Sequence, residues 1–275
     1  MDRRRFLTLL AGVGTAVTLP LRPALAKTAM TGDFEQGGMV IGRTFQGADA
    51  GLDGKAVGVS PDGYFVFGFG RDQGPTSTLT ISYGGEEITE TLTVAQRTYK
   101  IQKINGLPGD KVSPPDEAGE RIVKDIELIK AARSFDTPET WFLGGFAWPV
   151  TGRISGVYGS QRILNGEPRQ PHFGVDIARG EGEPIHAPQK GIVRLVERDM
   201  YFTGGTTVLD HGHGITTSYL HQSRLDVAVG DTVEAGQVIG LIGKTGRATG
   251  PHLCWRMNWF QERLDPQLAA GEMPG

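Results

Sequence analysis

The chain is poor in cysteine, in long apolar runs and in clustered positive charge. Its 275 residues include one cysteine, Cys254, which excludes an internal disulfide framework and a zinc cluster built from cysteine alone. The net charge is −3, and the only basic run lies in the first five residues, so we predict no nucleic-acid partner. The 41 glycines follow no three-residue period, which excludes collagen and favours many tight turns between short strands.

The amino-terminal segment is typical of an export signal. Arg3, Arg4 and Arg5 precede an apolar stretch over 6–19, and small residues at 24 and 26 fit a cleavage site. This stretch is shorter than the ~20 residues that cross a bilayer, so we expect no stable membrane span once residues 1–26 are removed. The run Arg4-Arg5-Phe6-Leu7 also resembles a twin-arginine signal. The expected location is the periplasm, with the twin-arginine route as one option.

The rest of the chain divides into four parts. Residues 27–107 alternate β-rich runs with turn dipeptides such as Asp53-Gly54, which predicts a small β-sandwich-like module without visible chemistry. Residues 108–147 are predicted to be a linker with one bridging amphipathic helix. Residues 148–268 are predicted to form a C-terminal antiparallel β domain, and 269–275 a tail. The predicted fold class is therefore mainly β.

The predicted helix rests on a hydrophobic period within the linker. Ile122, Val123, Ile126 and Ile129 recur at helical spacing, with charged residues on the other face. Asp116 is a candidate cap for a helix that begins at residue 117. We expect this helix to pack on a neighbouring domain or to bridge two domains.

All six histidines of the chain lie between His172 and His252. Histidine is the commonest metal ligand and the usual acid–base group at neutral pH, so this half is expected to carry the function. His172 and Asp176 are four residues apart and would share one face of a strand. His221 ends an apolar alternating strand, and His252 and Cys254 would share one face of a third strand. Together the three segments predict a zinc site.

Residues 149–266 resemble the catalytic domain of lysostaphin/LytM-type zinc endopeptidases, which cut peptide cross-links in bacterial peptidoglycan. The resemblance rests on His172-x-x-x-Asp176, on His221, and on the stretches 229–240 and 246–253. It implies one Zn²⁺ ion, with His172 and Asp176 as ligands. It also implies that His221 and His252 are catalytic residues that orient water and stabilise the oxyanion. The N-terminal part is similar to the β-rich module that precedes this domain in some Gram-negative members.

One position departs from that family's pattern. The third zinc ligand is normally the second histidine of a His-x-His pair, and here that position is Cys254. A thiolate can bind zinc, but together with Asp176 it would place two negative charges on the ion and weaken its polarising effect. Three interpretations follow: a working metalloendopeptidase with an altered ligand, a degenerate member that binds cell wall or activates a partner amidase, or a cysteine nucleophile beside His252.

The glycine-rich loop before His252 contains two further candidates. Arg247 and Thr249 are predicted to line the substrate groove. The expected partners are the peptide stems of peptidoglycan, with a cell-wall amidase or division proteins as further partners.

The remaining histidines and two aspartates are expected to have structural roles. His211 and His213 lie in a glycine-flanked segment that predicts a solvated hairpin turn. His186 is expected near the core of a strand. Asp210 and Asp231 are expected in turns.

Overall fold

The computed structural model describes residues 28–106 and 109–275, and the predicted export signal over 1–26 lies outside them. The fold is mainly β, as predicted. Within the described ranges, no helix combines the length and the apolar character that a membrane crossing requires. The first eight strands are β1 (Ala29–Gly32), β2 (Met39–Arg43), β3 (Asp49–Leu52), β4 (Lys55–Val57), β5 (Tyr64–Gly68), β6 (Thr76–Tyr83), β7 (Glu86–Thr93) and β8 (Ile101–Ile104).

The N-terminal module consists of two antiparallel sheets around one apolar core. One sheet has the order β1-β2-β5 and the other β4-β3-β6-β7. Alternate residues of β6 are buried, because successive side chains of a strand point to opposite faces. Phe65, Phe67 and Leu79 lie in this core, and Met257 and Trp259 from the C-terminal half join it. The module therefore packs directly onto the C-terminal half.

The C-terminal half contains the thirteen remaining strands of the described chain. They are β9 (Arg153–Gly156), β10 (Gln161–Leu164), β11 (Glu167–Pro168), β12 (Val175–Ala178), β13 (Pro184–His186), β14 (Gly191–Met200), β15 (Gly204–Asp210), β16 (Ile215–Gln222), β17 (Arg224–Leu225), β18 (Thr232–Val233), β19 (Val238–Leu241), β20 (His252–Trp259) and β21 (Glu262–Leu264).

One large sheet organises this half. Its order is β18-β14-β15-β16-β20-β12-β9, and β21 pairs with β20. Val175, Ile177, Tyr219, Leu253 and Trp255 are buried in a core on one face of its central strands. Two small sheets flank it, β13-β19-β17 and β11-β10-β8, and in the second of these β8 runs parallel to β10.

The helices are α1 (Gly109–Val112), α2 (Gly119–Ala132) and α3 (Pro266–Ala270), with 3₁₀ turns at Asp116–Ala118 and Trp141–Gly144. The predicted amphipathic helix exists, but the capping prediction was wrong. The segment with Asp116 is a 3₁₀ turn, and no side chain caps α2. Leu128 and Ile129 pack on a cluster that includes Leu195 and Met200 of β14.

The apolar stripe of α2 is only partly buried. Val123 is 60% exposed and Ile126 is 48% exposed, although both belong to the predicted hydrophobic face. The carboxyl-terminal turns of α2 therefore contact β14, and the apolar side of its earlier turns is exposed to solvent.

The connection between β15 and β16 is buried, so the prediction of a solvated hairpin was wrong. His211 and His213 are covered by the rings of Phe146 and Phe142, which approach them edge-on. His211 bonds the Lys190 carbonyl and the Thr217 hydroxyl, and burial lowers its pKa to about 4. Gly212 and Gly214 form the turn that the sequence indicates, but the segment that contains Phe142 and Phe146 packs over it.

The two aspartates expected in turns differ. Asp210 ends β15, is fully buried and pairs with Arg194 at 2.8 Å, so that prediction was wrong. Asp231 accepts a hydrogen bond from the Ala228 backbone N–H in a turn, as predicted. His186 lies half-buried at the end of β13, near the core as predicted.

The segment predicted to be a tail continues the packed structure. Residues 269–270 belong to α3, and Ala270 and Met273 pack against the core of the large sheet. Trp148 Nε1 donates to the Gly271 carbonyl at 3.1 Å. The domain boundaries stay a prediction.

Candidate metal centre and groove

Strand register brings three of the predicted site residues together. Asp176 on β12 lies directly opposite Cys254 on the neighbouring strand β20. His252 precedes Cys254 by two residues, so both face the same side of β20. His172 lies in the segment just before β12. Ligand atoms of His172, Asp176 and Cys254 all lie within 4.8 Å of one another, and all three residues are buried.

The orientation of His172 leaves one ring nitrogen facing the other two groups. Its Nδ1–H donates to the Val157 carbonyl at 3.3 Å, so Nε2 carries the lone pair in the neutral ring. Nε2 lies 3.0 Å from Asp176 Oδ1 and 3.4 Å from Cys254 Sγ. A backbone carbonyl that fixes the far nitrogen of a histidine is the usual support of a metal-ligating ring.

One carboxylate oxygen of Asp176 is hydrogen-bonded, and the other has no hydrogen-bond partner. Its Oδ2 accepts a hydrogen bond from Arg162 at 2.8 Å. Its buried Oδ1 has no hydrogen-bond partner. Gly156 on β9 provides the space, because a Cβ at that position would collide with Oδ2. Sequence reasoning missed both Arg162 and Gly156, since neither lies in the motifs that carry the site.

The charges of the site support a bound cation. Burial alone would raise the pKa of Asp176, but His172 and Arg162 lower it overall, so the carboxylate is ionised. Burial lowers the pKa of His172, which favours the neutral ring. With the ring neutral and its Nδ1–H on Val157, the His172 lone pair and the Asp176 oxygen 3.0 Å away repel each other, and either a proton on Nε2 or a bound metal cation would remove that repulsion.

The three groups therefore fit one metal ion. Nitrogen, carboxylate oxygen and sulfur are the three ligand types that zinc takes, and three protein ligands leave a position open for water or substrate. Burial, reinforced by Asp176, raises the pKa of the Cys254 thiol to about 12, so the thiol would give up its proton on binding an ion.

A pair of imidazoles lies beside these groups. The ring centroids of His221 and His252 are 4.7 Å apart. Each Nδ1–H donates to a loop carbonyl, that of Thr245 at 2.8 Å for His221 and that of Gly250 at 2.9 Å for His252. Each ring is thereby fixed with Nε2 directed away from its loop, and His252 Nε2 lies 3.8 Å from Asp176 Oδ1.

His221 has a strained backbone. Its φ is +66°, a left-handed conformation that is uncommon for a residue with a Cβ. Its N–H donates to the Thr203 carbonyl, and the Thr245 hydroxyl donates to the carbonyl of the next residue, Gln222. Backbone strain of this kind persists only where the surroundings enforce it, and it is common at functional sites.

An open groove exposes this centre. Its lining includes Asp176, His221, His252 and Cys254, together with Arg247 and Thr249 from the preceding loop. Arg247 stacks on the Phe202 ring at 4.4 Å, and Thr249 is exposed at the edge. The structure thus places all seven predicted site residues at one groove or directly beneath it. Their roles stay predictions.

The comparisons with known proteins agree with this geometry. The family model "Peptidase family M23" matches residues 170–266. An uncharacterised metalloprotease of Haemophilus influenzae is 39% identical over 203 residues, which are 74% of this chain and 36% of that protein. Peptidoglycan DD-endopeptidase ShyA of Vibrio cholerae is 41% identical over 87 residues, 32% of this chain and 20% of that protein.

A solved structure extends the similarity to the N-terminal module. A crystal structure described as an M23 peptidase of Pseudomonas aeruginosa has a TM-score of 0.67 and 27% identity, and the match covers 87% of this chain and 96% of that one. The chain spans no more than 37% of the length of the first three curated relatives. With the metal-type ligand set, the histidine pair and these matches in agreement, the chain contains a peptidase family M23 domain of the LytM/lysostaphin type.

Proposed function

We propose that this chain is a zinc-dependent endopeptidase that hydrolyses peptide cross-links of bacterial peptidoglycan in the periplasm. The observation that carries the proposal is the convergence of His172 Nε2, Asp176 Oδ1 and Cys254 Sγ beside a fixed histidine pair in an open groove. Relatives named peptidoglycan DD-endopeptidases support the substrate class. The twin-arginine route to the periplasm belongs to the same proposal.

Different residues of the chain would perform different steps of the hydrolysis. A bound zinc ion would supply polarisation of a peptide carbonyl and activation of a water molecule. His221 and His252 each present Nε2, so one ring can accept the proton of the attacking water and return it to the departing amine. The second ring, once protonated, can donate to the oxygen that becomes negative. Arg162 positions Asp176 through its hydrogen bond to Oδ2.

The position of Cys254 also motivates a second candidate function, that of a non-catalytic protein that binds cell wall or activates a partner amidase. A thiol 2% exposed and with a raised pKa differs from the imidazole expected there. The geometry disfavours the third interpretation, a cysteine nucleophile. The ring nitrogen within hydrogen-bond distance of Cys254 Sγ belongs to His172 and not to His252, and burial raises the pKa of the thiol to about 12, which keeps it protonated and unreactive.

Digestion of isolated peptidoglycan separates the two candidate functions. We expect the purified protein, supplied with one equivalent of zinc, to release new muropeptides with free amino groups. A chelator should stop the release, because the metal supplies part of the transition-state stabilisation. Products are resolved by liquid chromatography and mass spectrometry.

The Cys254→His variant is the matched comparison, since it restores the usual imidazole ligand. If only this variant releases products, the natural chain is a binding protein. If the natural chain binds zinc and neither protein releases products, the endopeptidase proposal is wrong.

A further inference from the structure

A second cavity lies between α2 and the large sheet, next to the groove. Six arginines from separate parts of the chain line it, and we call them the arginine pocket. They are Arg133, Arg162, Arg169, Arg247, Arg256 and Arg263. Among the described residues that line this cavity, Asp125 is the only carboxylate, and one of its oxygens already accepts the Tyr201 N–H. The cavity is therefore strongly positive.

Several of these guanidinium groups lack a compensating anion. Arg133 is 4% exposed, and its buried Nη1 has no hydrogen-bond partner. The buried Nε atoms of Arg169 and Arg256 also lack partners. Burial, together with the nearby charge of Arg256, lowers the pKa of Arg133 to about 10. Burial, with Arg133 and Arg256, lowers the pKa of Arg263 well below its usual value.

Buried positive charges that repel one another are costly unless an anion offsets them. Guanidinium groups favour planar, bidentate partners such as carboxylates and phosphates. The guanidinium groups of the arginine pocket therefore offer hydrogen-bond donors and positive charge for one bound anion.

The arginine pocket is continuous with the groove. Arg162, Arg247 and Arg256 line both cavities. Arg256 follows Cys254 by two residues on β20, and Arg162 bonds Asp176. An anion bound here would lie immediately beside the metal centre.

We propose that the arginine pocket binds a carboxylate of the peptide substrate and so selects stem peptides with a free carboxylate near the bond to be cut. The substrate class rests on the proposed function, whereas the anion site rests on the arginines alone. The exposed apolar side of Ile126, which also lines the pocket, would contact the aliphatic part of such a peptide.

The test measures binding without turnover. Isothermal titration calorimetry of the full protein as purified compares an uncross-linked stem peptide with the same peptide after its carboxylates are converted to carboxamides. We expect the carboxylate form to bind about tenfold more tightly or better, the effect of one charge-assisted hydrogen-bonded pair. Arg133→Gln and Arg169→Gln should reduce that preference to about twofold or less.

Arg198→Gln is the control, because Arg198 is exposed on β14 and does not line the cavity. Melting temperatures establish that each variant is folded, and the partly exposed Arg169 provides the test if Arg133→Gln does not fold. Equal affinity for both peptide forms, or a preference that survives both substitutions, overturns the proposal.

Inorganic phosphate is titrated as a second probe. If phosphate binds in a manner that depends on Arg133 while the stem peptide does not bind, the assignment to a carboxylate is wrong. If the protein prefers the carboxylate peptide but releases no muropeptides, the anion-site proposal stands and only the proposed hydrolysis is wrong.

Discussion

Asp176→Asn should remove both the bound metal and peptidoglycan hydrolysis. The substitution replaces a charged ligand by a neutral amide, whose N–H₂ can donate to His172 Nε2 and occupy the space of the ion. It also leaves Arg162 without the negative charge that it now pairs with. We expect metal affinity to fall at least about a hundredfold and kcat/KM about a thousandfold or more.

Metal content after dialysis, together with release of muropeptides, measures both effects. Asp62→Asn is a suitable control because Asp62 lies exposed in a turn of the N-terminal module. If Asp176→Asn retains one equivalent of zinc, the ion is bound at another site.

Loss of either groove histidine should separate catalysis from metal binding. His252→Ala and His221→Asn remove the Nε2 atoms proposed for proton transfer and oxyanion stabilisation, but not one of the three converging ligand atoms. Asparagine is chosen at 221 because it tolerates a φ of +66° better than alanine does. We expect kcat to fall about 10²–10⁴-fold, with zinc content unchanged.

His186→Ala, at a half-buried histidine on β13 outside the groove, is the matched control. If either groove variant also loses its zinc, that histidine is a ligand. If both variants keep full activity, the assignment of the pair to catalysis is wrong.

The sequence predicts the mainly β fold because hydrophobic alternation and turn dipeptides are local signals. It does not predict what packs over a turn, and this is why the sequence predicts a solvated position for His211 and His213. The rings that cover them, Phe142 and Phe146, come from the linker about seventy residues earlier. Local pattern also failed at Val123, since helical period shows which residues share a face but not whether a partner covers that face.

The candidate site also combines residues that local sequence patterns predict with residues that only long-range packing brings close. His172, Asp176 and Cys254 could be proposed from spacing and family resemblance because they occupy recognisable strand segments. Arg162 could not, since its hydrogen bond to Asp176 joins strands of two different sheets. The arginine pocket has no sequence signature at all. Its members extend from Arg133 to Arg263, and they meet where the end of α2, the β10–β11 segment and the large sheet adjoin one cavity.

Cobalt(II) titration of the purified protein tests the proposed metal centre most directly, since a bound thiolate gives a charge-transfer band in the near ultraviolet that nitrogen and oxygen ligands do not give. The ligand set of His172, Asp176 and Cys254 predicts saturation at one equivalent, a thiolate-to-cobalt band, and loss of that band in Cys254→Ser. A protein that takes up no cobalt, or that binds it with the same spectrum before and after Cys254→Ser, would contradict the proposed centre.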